Sequence, residues 1–278
     1  MHKASVKETS EILAAKIRRL ALRMVASANS SHIGTCLSMA DILAVLYNDV
    51  MRFDASRPDW QERDRFILSK GHGAAILYAV LAEKGFFGVD ELDEFCQEGS
   101  LLTGHASHHV AGVEVSTGSL GHGLPLACGM ALAAKSDRSG RRAFVLMGDG
   151  ELNEGSNWEA LMFAGHHGLD NVVAVVDCNK LQGFGRVEDI LDLAPIAEKL
   201  RMFRWAVREV DGHDHAQLKD TFAELPFEDG RPNLIVADTV KGKGVSFMEN
   251  ELAWHYKSPN AEQLAQALAE LERRKDEE

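Results

Sequence analysis

Nowhere in this chain of 278 residues does an apolar run reach the twenty or so residues that a membrane-spanning helix requires. The charged-then-apolar opening of a secretion signal is also missing. A cytoplasmic protein with no membrane partner is therefore expected. Cysteine is scarce: Cys36, Cys96, Cys128 and Cys178 are scattered without CxxC spacing, which excludes a disulfide frame or a thiolate zinc site and suits reduced thiols. Positive charge is short as well. Thirty Lys and Arg face 42 Asp and Glu, for a net charge of −12, so no basic surplus exists to meet a nucleic-acid backbone. A phosphorylated small molecule is not excluded, because it needs only local positive charge. No repeat, low-complexity tract or Pro/Gly linker divides the chain. It is read as one α/β domain over 1–278, with 1–9 and 261–278 as terminal extensions.

What the chain does have is concentrated at 143–181. A short apolar run, 143–147, ends in Gly148-Asp149-Gly150, and a second, 172–176, ends in Asp177-Cys178-Asn179-Lys180-Leu181. Both read as buried parallel strands. Between them Trp158, Leu161, Met162 and Ala164/Gly165 recur at three- to four-residue spacing, which predicts a helix packed on the sheet. The unit is βαβ, and its strands end on the same edge. Asp149 and Asn179 stand just past those two ends. Two oxygen donors, a carbonyl and a ligand's phosphates would suit Mg²⁺, or Ca²⁺ or Mn²⁺ in its place. Gly148 and Gly150 would let the backbone approach a bulky anion. The competing reading is a tight strand-to-helix turn with Asp149 as a cap.

The remaining pattern is that of a doubly wound, mostly parallel sheet with helices on both faces. Helices are predicted over 11–28 (capped by Ser10), 38–50 (capped by Ser38), 74–84, 124–134 (apolar enough to be buried all round), 188–200 (a pair broken at Pro195), 216–225 and 260–278 (charged, exposed or at an interface). Strands are predicted over 65–69, 205–210 and 232–238, and residues 1–8 read as loose. Three loop histidines sit beside glycines, in Ser31-His32-Ile33-Gly34, Gly71-His72-Gly73 and Gly104-His105. Such histidines can bind phosphate, hold sugar hydroxyls or move protons near neutral pH. Thr117-Gly118-Ser119-Leu120-Gly121-His122-Gly123 is a Gly-rich turn before a helix, a place for an anion. Lys241 and Lys243 fit either phosphate clamps or a solvated basic turn, and His108 and His109 stay unassigned.

Taken in order, these segments resemble the transketolase family from about Ile17 to Asn260. Gly148-Asp149-Gly150 followed thirty residues later by Asn179 is similar to the cofactor motif of thiamine-diphosphate enzymes, and the histidine motifs and Trp254-His255 are similar to transketolase in particular. The resemblance implies that Asp149, Asn179 and the Leu181 carbonyl hold the metal. It implies that His72, Gly118, Ser119, Leu120, Gly148, Asp149, Gly150, Glu154, Asn179, Leu181 and His255 bind thiamine diphosphate. It assigns His32, His72, His105 and His255 to proton handling, and Glu154 and Glu159 to a carboxylate relay across a dimer. Ile33, His122 and Tyr256 depart from the family pattern, where proline, glutamine and a small residue are usual.

Transketolase chains usually carry a second thiamine-binding domain that supplies the glutamate activating the cofactor's aminopyrimidine. No comparable domain fits after Leu271. The resemblance thus implies the N-terminal subunit of a split enzyme, assembled as α₂β₂ with a separate C-terminal chain carrying that glutamate. Its reaction would be transfer of a two-carbon ketol unit from a ketose phosphate to an aldose. The alternatives are another split thiamine-diphosphate enzyme, such as one like 1-deoxyxylulose-phosphate synthase or the α chain of a dehydrogenase, and a non-catalytic cofactor-binding remnant.

Overall fold

The computed structural model describes residues 8–275. Five strands, β1 (Arg65–Leu68), β2 (Ala143–Gly148), β3 (Val172–Cys178), β4 (Ala206–Asp211) and β5 (Asn233–Asp238), form one all-parallel sheet in the order β1-β2-β3-β5-β4. The register aligns their carboxyl ends: Leu68 pairs with Leu146, Gly148 with Asp177, and Cys178 with Asp238. Alternate strand residues serve opposite faces, as the pleat requires. Phe144, Leu146, Val173 and Val175 enter one core, while Val145, Met147, Ala174 and Val176 enter the other. The first core is roofed by α1 (Ser10–Ser27), α2 (Ile33–Ser38), α3 (Ala40–Val45), α4 (Ala74–Glu83) and, later in the chain, α9 (His215–Ala223) and α10 (Ala261–Lys275). The second is roofed by α5 (Gly123–Ser136), α6 (Gly155–His167) and α8 (Ile196–Met202). A short helix, α7 (Val187–Leu191), precedes α8. The doubly wound α/β fold is as expected, and the sheet is parallel throughout.

Several elements differ from the sequence pattern. The segment expected as one helix over 38–50 is three pieces: α2, α3 and a π-helical turn at Leu46–Val50. Ser38 does not cap a helix. It ends α2, where its hydroxyl donates to the Thr35 carbonyl at 3.0 Å and to the buried Asp177 carboxylate at 2.5 Å. Thr9 caps α1, accepting from Ile12 N. α5 is not buried all round, because Leu126 and Leu132 point outward. On α6 the core stripe runs Asn157, Ala160, Leu161, Ala164, which puts Met162 on the opposite side, 53% exposed. α10 is not wholly a surface helix: Ala267 and Leu271 are buried against α1. The loose start expected over 1–8 lies, but for Glu8, outside the described residues, as do 276–278 at the far end.

One buried cluster locks α1, α3 and the turn before α9 together. Asp41 accepts from Arg18 Nη1 (2.7 Å) and Nη2 (2.5 Å), from His213 Nδ1 (2.7 Å) and from His215 Nε2 (3.0 Å). Burial alone would raise the Asp41 pKa, but Arg18 and the two imidazoles outweigh it and hold the carboxyl well below its usual range. A carboxylate depressed on folding contributes stability in full above its unfolded pKa of about 4 and loses it as pH falls through the folded value. Asp41→Asn should therefore cost about 3–5 kcal/mol at neutral pH, because it leaves Arg18 buried without its counter-charge. In urea unfolding the gap between wild type and variant should shrink as pH falls below about 4. A gap that stays constant with pH would contradict this assignment.

Candidate functional site

Four loops meet above the carboxyl edge of the sheet. They follow β1 (69–73), β2 (149–154), β3 (179–186) and β5 (239–256), and the 104–120 segment lies across them. Together they enclose a cavity of about 270 Å³. Among its lining residues are His32, His72, His105, Gly118, Leu120, Gly148, Asp149, Gly150, Asn179, Leu181 and His255, so most of the residues singled out in the sequence converge here. Ser119, Glu154 and Glu159 do not line it and are exposed; Glu154 and Glu159 stand at the start of α6, facing out. His122 is also exposed, with Nδ1 3.0 Å from the Leu120 carbonyl.

The histidines form a cluster. The His32 ring lies 5.0 Å from His72, 5.8 Å from His105 and 5.1 Å from His255, and His72 and His255 are 5.7 Å apart. Burial, reinforced by His105 and Lys241, brings His32 down to about 4. Burial with Lys241 and His32 brings His255 to about 3, and burial beside Lys70 holds His72 well below the ordinary value. These three imidazoles are neutral at physiological pH, so they act by hydrogen bonding and proton exchange and not as standing cations. His32 adopts φ = 77°, a left-handed conformation that a β-carbon disfavours. Its amide donates to the His255 carbonyl at 3.0 Å, which ties the two loops together.

The floor carries charge that the sequence pattern did not single out. Lys70 is buried, donates to Thr35 Oγ1 at 2.8 Å and pairs with Asp177. Asp177 also accepts from Ser38, Thr239 and Asn179. A charged residue closing an otherwise apolar strand was the available signal for it. Of the two lysines left open, Lys241 belongs to the cavity and Lys243 does not. The Lys241 ammonium is brought down to about 8 by burial and by Lys70, and it donates to the Leu181 carbonyl (2.9 Å) and to His255 Nδ1 (2.9 Å).

The donor set fits a cation shared with an anionic ligand. Asp149 is buried, accepts from Gly150 N (2.7 Å) and Lys180 N (2.5 Å), and is pushed up to about 6 by burial and by Asp177. The Asn179 oxygen accepts from Leu181 N at 3.2 Å. The Leu181 carbonyl is already met by a positive charge, the ammonium of Lys241. Gln182 Nε2 is buried with no partner, a donor suited to an anion. Among the described residues no three His, Cys, Asp or Glu side chains could hold a metal by themselves. One carboxylate, one amide oxygen and one carbonyl need ligand oxygens to complete the shell. Gly150 serves a different purpose from the one expected: a β-carbon there would come within 2.6 Å of Gln182 Cγ, so its small size admits a neighbouring side chain and not an anion.

Glu151 was also missed in the sequence, and it clamps the site. Its carboxylate accepts from Ser69, from Gly121 N (2.9 Å) and from Gly148 N (3.1 Å), joining the 117–123 turn to the ends of β1 and β2. Burial pushes its pKa up against these three bonds. A second and larger hollow, about 740 Å³, lies between α1 and α9, but Arg18, Asp41, His213 and His215 in its wall satisfy one another. Glu151→Gln turns an acceptor oxygen into an amide facing backbone N–H groups. It should cost about 2 kcal/mol or more in urea unfolding and speed amide exchange over 118–122. Unchanged stability and exchange would show that Glu151 is no clamp.

Comparison with known proteins agrees with this geometry. The family described as "Transketolase, thiamine diphosphate binding domain" matches residues 9–274. One of the two subunits of an apulose-4-phosphate transketolase, from Phocaeicola vulgatus, is 41% identical over 267 residues, 96% of this chain and 95% of the relative. The SqwG subunit of a 6-deoxy-6-sulfo-D-fructose transketolase, from a Clostridium species, is 41% identical over 258 residues, 92% of this chain and 94% of the relative. The solved transketolase of Leishmania mexicana superposes with a TM-score of 0.89 at 34% identity. The match covers 98% of this chain but only 42% of that one. The chain therefore belongs to the transketolase family and carries its thiamine diphosphate-binding domain.

Proposed function

We propose that this chain is the diphosphate-binding, N-terminal subunit of a two-chain transketolase that moves a two-carbon ketol unit from a ketose phosphate to an aldose. The observation that carries this reading is the convergence of His32, His72, His105 and His255 on a cavity floored by Asp149, Asn179, Leu181 and two buried lysines. Asp149, Asn179 and the Leu181 carbonyl would hold Mg²⁺, with Ca²⁺ or Mn²⁺ able to substitute, together with the cofactor diphosphate. Lys70, Lys241 and Gln182 would offset the remaining anionic charge. Bound thiamine diphosphate supplies the carbanion chemistry of ketol transfer. The chain's own part is to orient and to manage protons. Because His255 Nδ1 receives the Lys241 hydrogen, a neutral His255 carries its proton on Nε2, from which it can donate to a substrate oxygen.

A second chain is required by what the cavity lacks. At about 270 Å³ it lies at the small end of ligand pockets, roughly 300–1,000 Å³, and suits the diphosphate end better than the whole cofactor. Its lining carboxylates, Asp149 and Glu151, are both engaged by backbone N–H groups, so neither is placed to activate an aminopyrimidine. Both relatives are themselves described as subunits. The activating glutamate is assigned to a C-terminal partner chain. Self-association to α₂β₂ is supported by the outward Leu126 and Leu132 of α5 beside Met162 and Phe163 of α6, an apolar surface in a chain otherwise rich in charge. Glu154 and Glu159 lie at the start of that same helix, where a relay across the assembly would run. No helix among the described residues is long and apolar enough to cross a membrane, and a cytoplasmic enzyme is proposed.

A coupled ketol-transfer assay with a ketose phosphate donor tests the reading. Turnover is expected only when this chain and a C-terminal transketolase chain are mixed with thiamine diphosphate and Mg²⁺. None is expected from either alone or from a mixture carrying Asp149→Ala. Turnover by this chain alone, or an Asp149→Ala mixture as active as wild type, would contradict it.

A further inference from the structure

Lys241 reaches two groups in the cavity, and something outside the cavity sets where its backbone lies. The turn after β4 is pressed against the exit of β5. Gly212 N donates to the Asp238 carbonyl at 2.8 Å, and a β-carbon on Gly212 would come within 2.4 Å of Thr239 Cγ2. From that turn His213 extends to the next residue along, and Val240 N donates to His213 Nε2 at 2.9 Å. A backbone amide can only donate, so Nε2 must be unprotonated. The ring proton then sits on Nδ1 and is given to Asp41, 2.7 Å away, which Arg18 holds from the other side. The two nitrogens thus have opposite, fixed roles. His215 is the natural contrast: it also donates to Asp41, through Nε2, but its Nδ1 meets Ser10 Oγ at 2.9 Å, away from the cavity.

We propose that His213 is a positioning residue for the cofactor site: as the Nδ1–H tautomer backed by Asp41, it accepts the Val240 amide and so sets the reach of Lys241 toward Leu181 and His255. The consequence runs through three bonds. Val240 fixed by His213 places Lys241, whose ammonium spans the Leu181 carbonyl and His255 Nδ1 and thereby holds the His255 proton on Nε2. The inference rests on the reading of the cavity as the diphosphate site.

Two variants separate the two halves of the His213 contact. His213→Asn keeps a donor for Asp41 and leaves the Val240 amide without an acceptor. His213→Gln places an oxygen near the position of Nε2 and restores the acceptor. Thiamine diphosphate binding in the presence of Mg²⁺ is measured by calorimetry on the two-chain assembly. His213→Asn should weaken it about tenfold, whereas His213→Gln and His215→Asn should each weaken it no more than about twofold. In wild-type protein labelled with ¹⁵N histidine, the His213 resonances should show a neutral ring protonated at Nδ1. A ring protonated at Nε2 overturns the inference, as does equal weakening by His213→Asn and His215→Asn, or an affinity unmoved by His213→Asn. A wild-type assembly that binds no thiamine diphosphate would sink the functional reading and this inference together, whereas normal wild-type binding with an insensitive His213→Asn sinks the inference alone.

Discussion

Asp177 is the charge around which the carboxyl edge of the sheet is built. It closes β3 at zero exposure, where a lone carboxylate would be prohibitively costly. Its oxygens take Lys70 from the end of β1, Ser38 from the end of α2, Thr239 from the exit of β5 and the Asn179 amide from its own loop. Each of those four groups sits next to a residue of the site: Lys70 near His72, Ser38 on the helix opened by His32, Thr239 two before Lys241, and Asn179 itself. Removing the carboxylate would leave an ammonium buried without its counter-charge and four loops without a common anchor. The buried pair is weak evidence for stability, since apolar replacements of such pairs are often neutral. It is stronger evidence for placement, because it fixes loops from distant parts of the chain at one point.

A second electrostatic feature follows from the first. Lys70 neutralises Asp177, so the net positive charge facing the cavity comes from Lys241, lowered to about 8 and still protonated at neutral pH. The same two lysines and burial strip His32, His72 and His255 of their protons. The site is therefore arranged as one ammonium at the floor, neutral imidazoles on the walls and oxygen donors at the β2 and β3 ends. That arrangement separates anion binding from proton exchange, two tasks that protonated histidines would confuse. Asp41, with Arg18, His213 and His215, repeats the logic one layer further out, where it ties the frame and not the ligand.

The βαβ unit, the strand ends at Gly148 and Cys178 and the loop histidines were legible in the sequence because each is a local pattern: apolar runs of strand length, glycine stops, and short motifs in order. The buried ions were not. Lys70, Glu151 and Asp177 acquire their meaning from partners 82 and 107 residues away, and nothing in a local window separates Lys241, which enters the cavity, from Lys243, which does not. The break at Met39 and the loss of Ser38 as a cap have the same origin, since a tertiary contact with Asp177 claims the hydroxyl. Met162 was misplaced by reading a stripe that the helix period moves to Ala160, Leu161 and Ala164. Helix α5 looked buried because it is apolar, yet its outward leucines face no element of this chain.

Taken alone, the chain offers a diphosphate pocket without the wall that would hold the other end of the cofactor. The most direct measurement is a calorimetric titration of thiamine diphosphate with Mg²⁺ into this chain alone, and then into its mixture with a C-terminal transketolase chain. The account predicts weak or absent binding in the first titration and tight, saturable binding in the second. Equally tight binding by the chain alone would mean that its own residues close the pyrimidine end, and the two-chain reading of the site would be wrong.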